Sequence, residues 1–142
     1  METEAEQVEY VQAQRAANLQ APLDLVQWQH FLKSPSWLET GTTVTAFKSE
    51  KVIGSVAVYR DREEIKQFSK RVGVMDNVFV DKDWRKRGVA SYLVYQGLLY
   101  LKENGMEMAR IGVRANNKEA LGLYMRMGYF AIRESKVYTM EI

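Results

Sequence analysis

The sequence predicts a mixed β-sheet flanked by helices, of the α/β (α+β) class, and two observations carry that prediction. A hairpin pattern near the middle of the chain calls for antiparallel pairing. Helical stretches that alternate with strands in the second half call for crossover connections. The 142 residues, 46% hydrophobic and 27% charged, suit one domain over 1–142 with a core of its own.

Taken in order, residues 7 to 14 (Gln-Val-Glu-Tyr-Val-Gln-Ala-Gln) read as a weakly patterned first strand. Pro22 opens a helical stretch in which Leu25, Trp28 and Leu32 share a face, and Ser34-Pro35-Ser36 ends it. Thr42 to Phe47 and Val52 to Tyr59 are rich in β-branched and aromatic residues, and polar Lys48-Ser49-Glu50-Lys51 joins them. Asp61 to Lys70 is charged and reads as a short helix or loop. Val72 to Val80 is a buried strand, apolar apart from Gly73, Asp76 and Asn77.

A basic turn then leads into a helix from Val89 to Glu103. Val89, Leu93, Gly97 and Tyr100 line one face of it, and Asn104-Gly105 is its stop signal. Ala109 to Val113 is a short strand. Asn116 starts the next helix, with Glu119 placed to reach back as in a capping box, and Gly128 ends it. Tyr129 to Ile132 and Val137 to Ile142 close the chain as two strands.

Composition excludes several chemistries. There is no cysteine, hence no disulfide, thiolate metal site or cysteine nucleophile. A single histidine, His30, argues against a histidine metal site or a serine-histidine triad, and no metal is expected. Twenty basic against 18 acidic residues give a net charge of +2, too balanced to point to nucleic acid. No apolar run reaches membrane-spanning length, and the acidic start Met1-Glu2-Thr3-Glu4-Ala5-Glu6 is no secretory signal. A cytoplasmic protein with no membrane partner is the expectation.

The turn Arg85-Lys86-Arg87-Gly88-Val89-Ala90 sits between an apolar strand and an amphipathic helix. The first amides of a helix lack internal partners, and the helix dipole adds partial positive charge there. Gly88 and Ala90 let an anion approach the backbone, while Arg85, Lys86 and Arg87 add charge around the same point. The plainer reading, a solvated basic turn, stays open on these residues alone. No Gly-Lys-Ser/Thr follows, so it is not a nucleotide-triphosphate loop.

Three stretches, in order and suitably spaced, resemble the GNAT superfamily of CoA-dependent N-acetyltransferases. Val78-Phe79-Val80-Asp81-Lys82-Asp83-Trp84-Arg85-Lys86-Arg87-Gly88-Val89-Ala90 is similar to that family's fourth strand and its Arg/Gln-x-x-Gly-x-Gly/Ala loop. Asn117-Lys118-Glu119-Ala120-Leu121-Gly122-Leu123-Tyr124-Met125-Arg126-Met127-Gly128-Tyr129 is similar to its Asn-x-x-Ala-x-x-Leu-Tyr-x-x-x-Gly-Phe/Tyr signature. Val52-Ile53-Gly54-Ser55-Val56 resembles the start of its third strand. The match covers residues 42 to 132.

The resemblance implies a centrally splayed sheet of about six to seven strands. It implies acetyl-CoA as co-substrate and an N-acyltransferase that moves an acetyl group directly to a primary amine through a tetrahedral intermediate. Residues 42–142 would form the CoA-binding core and 1–41 the variable acceptor side. The backbones of Val78, Phe79 and Val80 would pair with the pantetheine arm. The amides of Arg85, Lys86, Arg87, Gly88, Val89 and Ala90, with the Ser91 hydroxyl, would hold the pyrophosphate. Asn117 would contact the cofactor, and Tyr124 would sit near its sulfur as general acid. A strand amide near Val78 to Val80 would stabilise the oxyanion.

Asp76 stands where family members often carry a glutamate base, and its shorter side chain leaves that role open against a structural hydrogen bond. Tyr124 could equally form part of the helix's buried face, and the two roles are compatible. His30 reads as a packing or surface residue, and Trp28, Phe31 and Trp37 as core rather than an acceptor wall. The acceptor is a small-molecule or peptide amine, and a homodimer is left open. A CoA-binding regulatory domain without turnover, or one half of a tandem protein, is the alternative. Nucleic-acid binding through Trp84 and the basic turn is the third reading, disfavoured by the charge balance.

Overall fold

The computed structural model describes residues 3–17, 23–61, 70–112, 118–131 and 137–141. The chain enters as a helix where its pattern predicts a strand: α1 spans Glu4–Ala17. Thr3 Oγ1 accepts the Glu6 amide hydrogen at 3.2 Å and donates to Glu6 Oε1 at 3.0 Å, a capping box that starts the helix. Tyr10, Val11 and Gln14 are buried at helical spacing. A glutamine on that face hides the helical period from hydrophobicity, while Val8 and Tyr10 mimic alternation.

α2, Leu25–Phe31, begins at Asp24, whose side chain accepts the Gln27 amide at 2.9 Å. Pro22, expected to open this helix, lies outside the described residues. Ser34-Pro35 does not end a helix but begins one. In α3, Pro35–Thr40, Ser34 is the N-cap and accepts the Trp37 amide at 3.4 Å. Pro35 stands in the first turn, where its missing N–H leaves no bond unmade.

Among the described residues six strands form one sheet: β1 Thr42–Lys48, β2 Lys51–Asp61, β3 Val72–Val80, β4 Met108–Gly112, β5 Phe130–Ala131 and β6 Val137–Glu141. Their order is β1-β2-β3-β4-β6-β5. Ser49 and Glu50, at φ 50° and 68°, make the tight turn between β1 and β2, a hand of turn that matches strand twist. β3 and β4 are parallel, and α4, Val89–Glu103, is the crossover that parallel pairing requires. α5, Lys118–Arg126, precedes β5. The mixed sheet between helices is the expected fold. The capping by Asn116 and most of the charged segment after Asp61 fall outside the described residues.

Each face of the sheet carries a core. On one, Val56, Val58, Met75, Leu93 and Val94 pack with Tyr124 and Tyr129. On the other, Tyr10, Trp28, Ala57 and Phe79 pack under α1 and α2, with Tyr10 stacked on Trp28 at 5.1 Å. Trp28, Phe31 and Trp37, expected as core, interlock here with centroid distances of 5.5 to 5.7 Å. Gly54 lets α4 approach: a Cβ there would stand 3.0 Å from the Phe79 carbonyl oxygen and 3.1 Å from Leu93 Cδ1.

Candidate active site

β3 and β4 pair only from Val72↔Met108 to Met75↔Ile111. β3 then runs on to Val80, hydrogen-bonded on its β2 side, where Gly54 faces Val80. Among the described residues, the other edge of Asp76 to Val80 has no strand beside it. Among the described residues the parallel pairing therefore ends at Met75. A free strand edge offers a row of N–H and C=O groups to whatever extended chain lies against it.

A bulge shapes the same point. Ala57 faces Asp76 and Ser55 faces Phe79, so Val56 alone opposes Asn77 and Val78. Asn77 takes φ 51°, a left-handed conformation that Asn tolerates better than most residues. The Asp76 Oδ1 accepts the Asn77 amide at 2.9 Å. Asp76 is exposed, on the α1 and α2 face. Burial raises the phenols of Tyr10 and Tyr59 well above the ordinary value, and the Asp76 carboxylate beside them adds to the rise. Asp76 thus lies beside the buried Tyr10 phenol and the half-buried Tyr59 phenol.

The basic turn leaves β3 through a firmly held corner. Asp81 donates its amide to the Ile53 carbonyl at 2.7 Å, and its carboxylate accepts the Asp83 amide at 2.9 Å. That amide and Lys51, 3.4 Å away, hold the Asp81 carboxyl below the usual carboxylate range. A short 3-10 turn, Lys82–Trp84, follows. Lys86 is exposed at φ 62°, and Gly88, at φ 83°, is the residue before α4. Among the described residues, no side chain caps that helix and nothing lies within 4 Å of where a Gly88 Cβ would stand. The first helical amides, of Val89, Ala90 and exposed Ser91, have no partner within the helix, and its dipole adds partial positive charge there. The residues present fit an anionic diphosphate.

The three basic side chains divide their work differently from the expectation. Arg87 lies over the Trp84 ring, 4.9 Å from its centroid. Arg85 turns back, donating through Nε to the Val80 carbonyl at 3.1 Å and through Nη2 to the Ala17 carbonyl at 2.5 Å. Its charge serves two carbonyls rather than open space at the helix start. In sequence, such a role is indistinguishable from that of its basic neighbours.

Of the other predicted residues, Val78 is half-buried against the α4-side core, Val80 is buried in it, and Phe79 is buried on the α1 side. Tyr124 is buried, 5% exposed, in the same core as Val80. Desolvation pushes its phenol up to about 12. Asn117 lies outside the described residues. The bulge at Asn77 went unread, although an Asp-Asn pair inside an apolar strand is a usable signal for it. A cavity of about 740 Å³, lined by Gln7, Gln29, Trp37 and Thr42 among others, lies at the β1 edge, away from this gap. No group of His, Asp or Glu among the described residues could hold a metal.

With that geometry in view, the model of the acetyltransferase (GNAT) family matches residues 7–129. The chain belongs to the GNAT family. An uncharacterized N-acetyltransferase of Methanocaldococcus jannaschii is 34% identical over 80 residues, 56% of this chain and 34% of that protein. The N-alpha-acetyltransferase MAK3 of Arabidopsis thaliana is 28% identical over 120 residues, 84% of this chain and 58% of that protein. This GNAT chain therefore spans between a third and three-fifths of the length of the curated relatives it matches. In fold it is similar to the ribosomal-protein-S18-alanine N-acetyltransferase of Escherichia coli, with TM-score 0.78 and 14% identity, covering 99% of this chain and 90% of that one. It is likewise similar to the NatC complex bound to Gag peptide and CoA, with TM-score 0.77 and 18% identity, covering 99% and 92%. No helix among the described residues is long and apolar enough to cross a membrane.

Proposed function

We propose that this GNAT chain transfers the acetyl group of acetyl-CoA to the α-amine of a peptide. The observation that carries the reading is the edge of β3 from Asp76 to Val80, which among the described residues has no strand beside it and is followed by a helix start at Gly88 that no described side chain caps. An extended arm carrying amides would lie along the first, and a diphosphate would end at the second. Val78, Phe79 and Val80 would present backbone groups to the pantetheine. The amides from Arg85 to Ala90, with Ser91, would hold the diphosphate, and Asn117 would add a contact.

Acetyl-CoA supplies a thioester. The amine nitrogen bonds to its carbonyl carbon, the C–S bond breaks, and the departing thiolate takes a proton. Tyr124 is the proton source in this reading, since burial keeps its phenol protonated at neutral pH. Asp76 receives the proton lost by the amine, directly or through water, and its exposure on the α1 and α2 face leaves it open to the acceptor. A free amide of β3 would steady the oxygen that gains charge. Residues 1–41 would form the acceptor side. The peptide α-amine is favoured over a small amine because the names of relatives and fold neighbours specify N-alpha and ribosomal-protein alanine acetylation.

The test is incubation with labelled acetyl-CoA and a panel of peptides, free lysine and small amines. Label on peptide amino termini is expected, and absence of any CoA binding would sink the reading. The shortness of the chain beside its curated relatives favours a second reading, a CoA-binding unit of a larger protein. Tight CoA binding without transfer across the whole panel would select it.

A further inference from the structure

We infer that Arg85 is a tether through which the diphosphate-binding turn sets the position of the C-terminal end of α1 on the acceptor side. The inference rests on the proposed function for the identity of the two sides. The Arg85 main chain belongs to the turn, immediately after the 3-10 helix. Its guanidinium bridges the carbonyls of Val80, at the end of β3, and Ala17, the last residue of α1 and 68 positions away in sequence.

The chemistry of the bridge is favourable. The last carbonyls of a helix have no internal partner and carry the negative end of its dipole. A planar guanidinium can donate to two carbonyls at once, and a charged donor makes a stronger bond than a neutral one. α1 has a second anchor one turn back. Gln14 is 2% exposed, and its Oε1 accepts the backbone N–H of Leu23 at 2.7 Å. The last turn of α1 is therefore held twice, at Gln14 by the Leu23 amide within the acceptor side and at Ala17 by an arginine that comes from the diphosphate turn. A shift of the turn on binding moves the second hold and leaves the first in place.

Arg85 is a positioning residue in this account, acting through α1 rather than on the reacting atoms. Arg85→Ala keeps the backbone amide and removes the bridge. It should raise the KM for the acceptor peptide about fivefold or more, the usual size of coupling between two sites. CoA affinity should change less than about threefold, because an engaged and solvent-screened charge adds little at the phosphates. Arg85→Lys keeps the charge without the fork and should resemble Arg85→Ala; wild-type behaviour in that variant would overturn the tether.

Amide hydrogen exchange tests the coupling without any turnover. Adding CoA to the wild type should slow exchange in residues 14–24, and the same addition to Arg85→Ala, at saturating CoA, should not. CoA binding with no change of exchange there in the wild type refutes the tether and leaves the proposed function standing. A rise in CoA Kd with an unchanged acceptor KM would instead make Arg85 a phosphate ligand and refute it. No CoA binding by the wild type removes both readings together.

Discussion

The Tyr124 ring meets the Tyr129 ring near edge-on, 5.8 Å between centroids, and the amide of Tyr129 donates to the Tyr124 carbonyl at 3.0 Å. The turn that ends α5 thus fixes the phenol proposed as proton donor. Tyr124→Phe keeps the ring and its packing and removes only the hydroxyl. It should lower kcat by about 10²-fold or more, the usual worth of a positioned acid. CoA affinity, measured by titration calorimetry, should stay within about twofold.

The same phenol gives a pH prediction. Its folded pKa is raised above the unfolded value, so folding favours the protonated form. The stability this contributes is fully present below about pH 10, the ordinary tyrosine value, and is lost as pH rises towards about 12. Denaturant unfolding should show stability falling across that window, with a shallower fall in Tyr124→Phe. Below it, kcat should show no limb from this group.

Asp76→Asn is close to isosteric and keeps an oxygen to accept the Asn77 amide, so the bulge should survive. If Asp76 takes the amine's proton, kcat/KM should drop by about 10²-fold, with the loss shrinking as pH rises and the amine deprotonates in solution. An unchanged pH–rate profile would confine Asp76 to its bond with Asn77.

At Gly88 the left-handed backbone and the open space before α4 make opposite demands on a substitution. Gly88→Asn suits φ 83° and should fold with Tm close to wild type, whereas any β-branched residue costs about 1–2 kcal/mol in backbone strain. Both place a side chain where the diphosphate would lie. Both should therefore weaken CoA binding at least about tenfold. Wild-type affinity in Gly88→Trp would move the site elsewhere.

Gln14→Ala should cost about 1–3 kcal/mol, because the Leu23 amide it serves is left without its acceptor. Thermal unfolding reads this directly, and Gln14→Glu, which still offers an oxygen, should recover part of it.

The second half of the fold was legible because its signals are local and strong. The β1–β2 turn, the stop at Asn104-Gly105 and the run of Val72 to Val80 each follow from residue type and spacing. α1 was not legible from hydrophobicity, since Gln14 occupies a buried place on its face and the backbone N–H that it accepts, that of Leu23, is nine residues away. Its start was written in Thr3 and Glu6, a polar signal that a strand pattern outshouted. Ser34-Pro35 shows the converse: the same pair serves as a breaker or a beginning, and only the Trp37 amide decides. In the site, residue types located the basic turn, Tyr124 came only from the family resemblance, and the direction of the Arg85 side chain depends on a helix end far away in sequence.

The extra residue at Asn77 also governs how this strand could change over evolution. Ordinary alternation would send Asp76, Val78 and Val80 to one side; with the bulge, Asp76 shares a side with Phe79, while Val78 and Val80 turn towards α4. The bulge is a parity switch in the middle of one strand. Deleting Asn77 would therefore remove the bulge and leave the faces as they are, since Asp76-Val78-Phe79-Val80 then alternates normally against β2. The bulge is the one place in this strand's pairing with β2 where a residue can be lost without a compensating loss in β2.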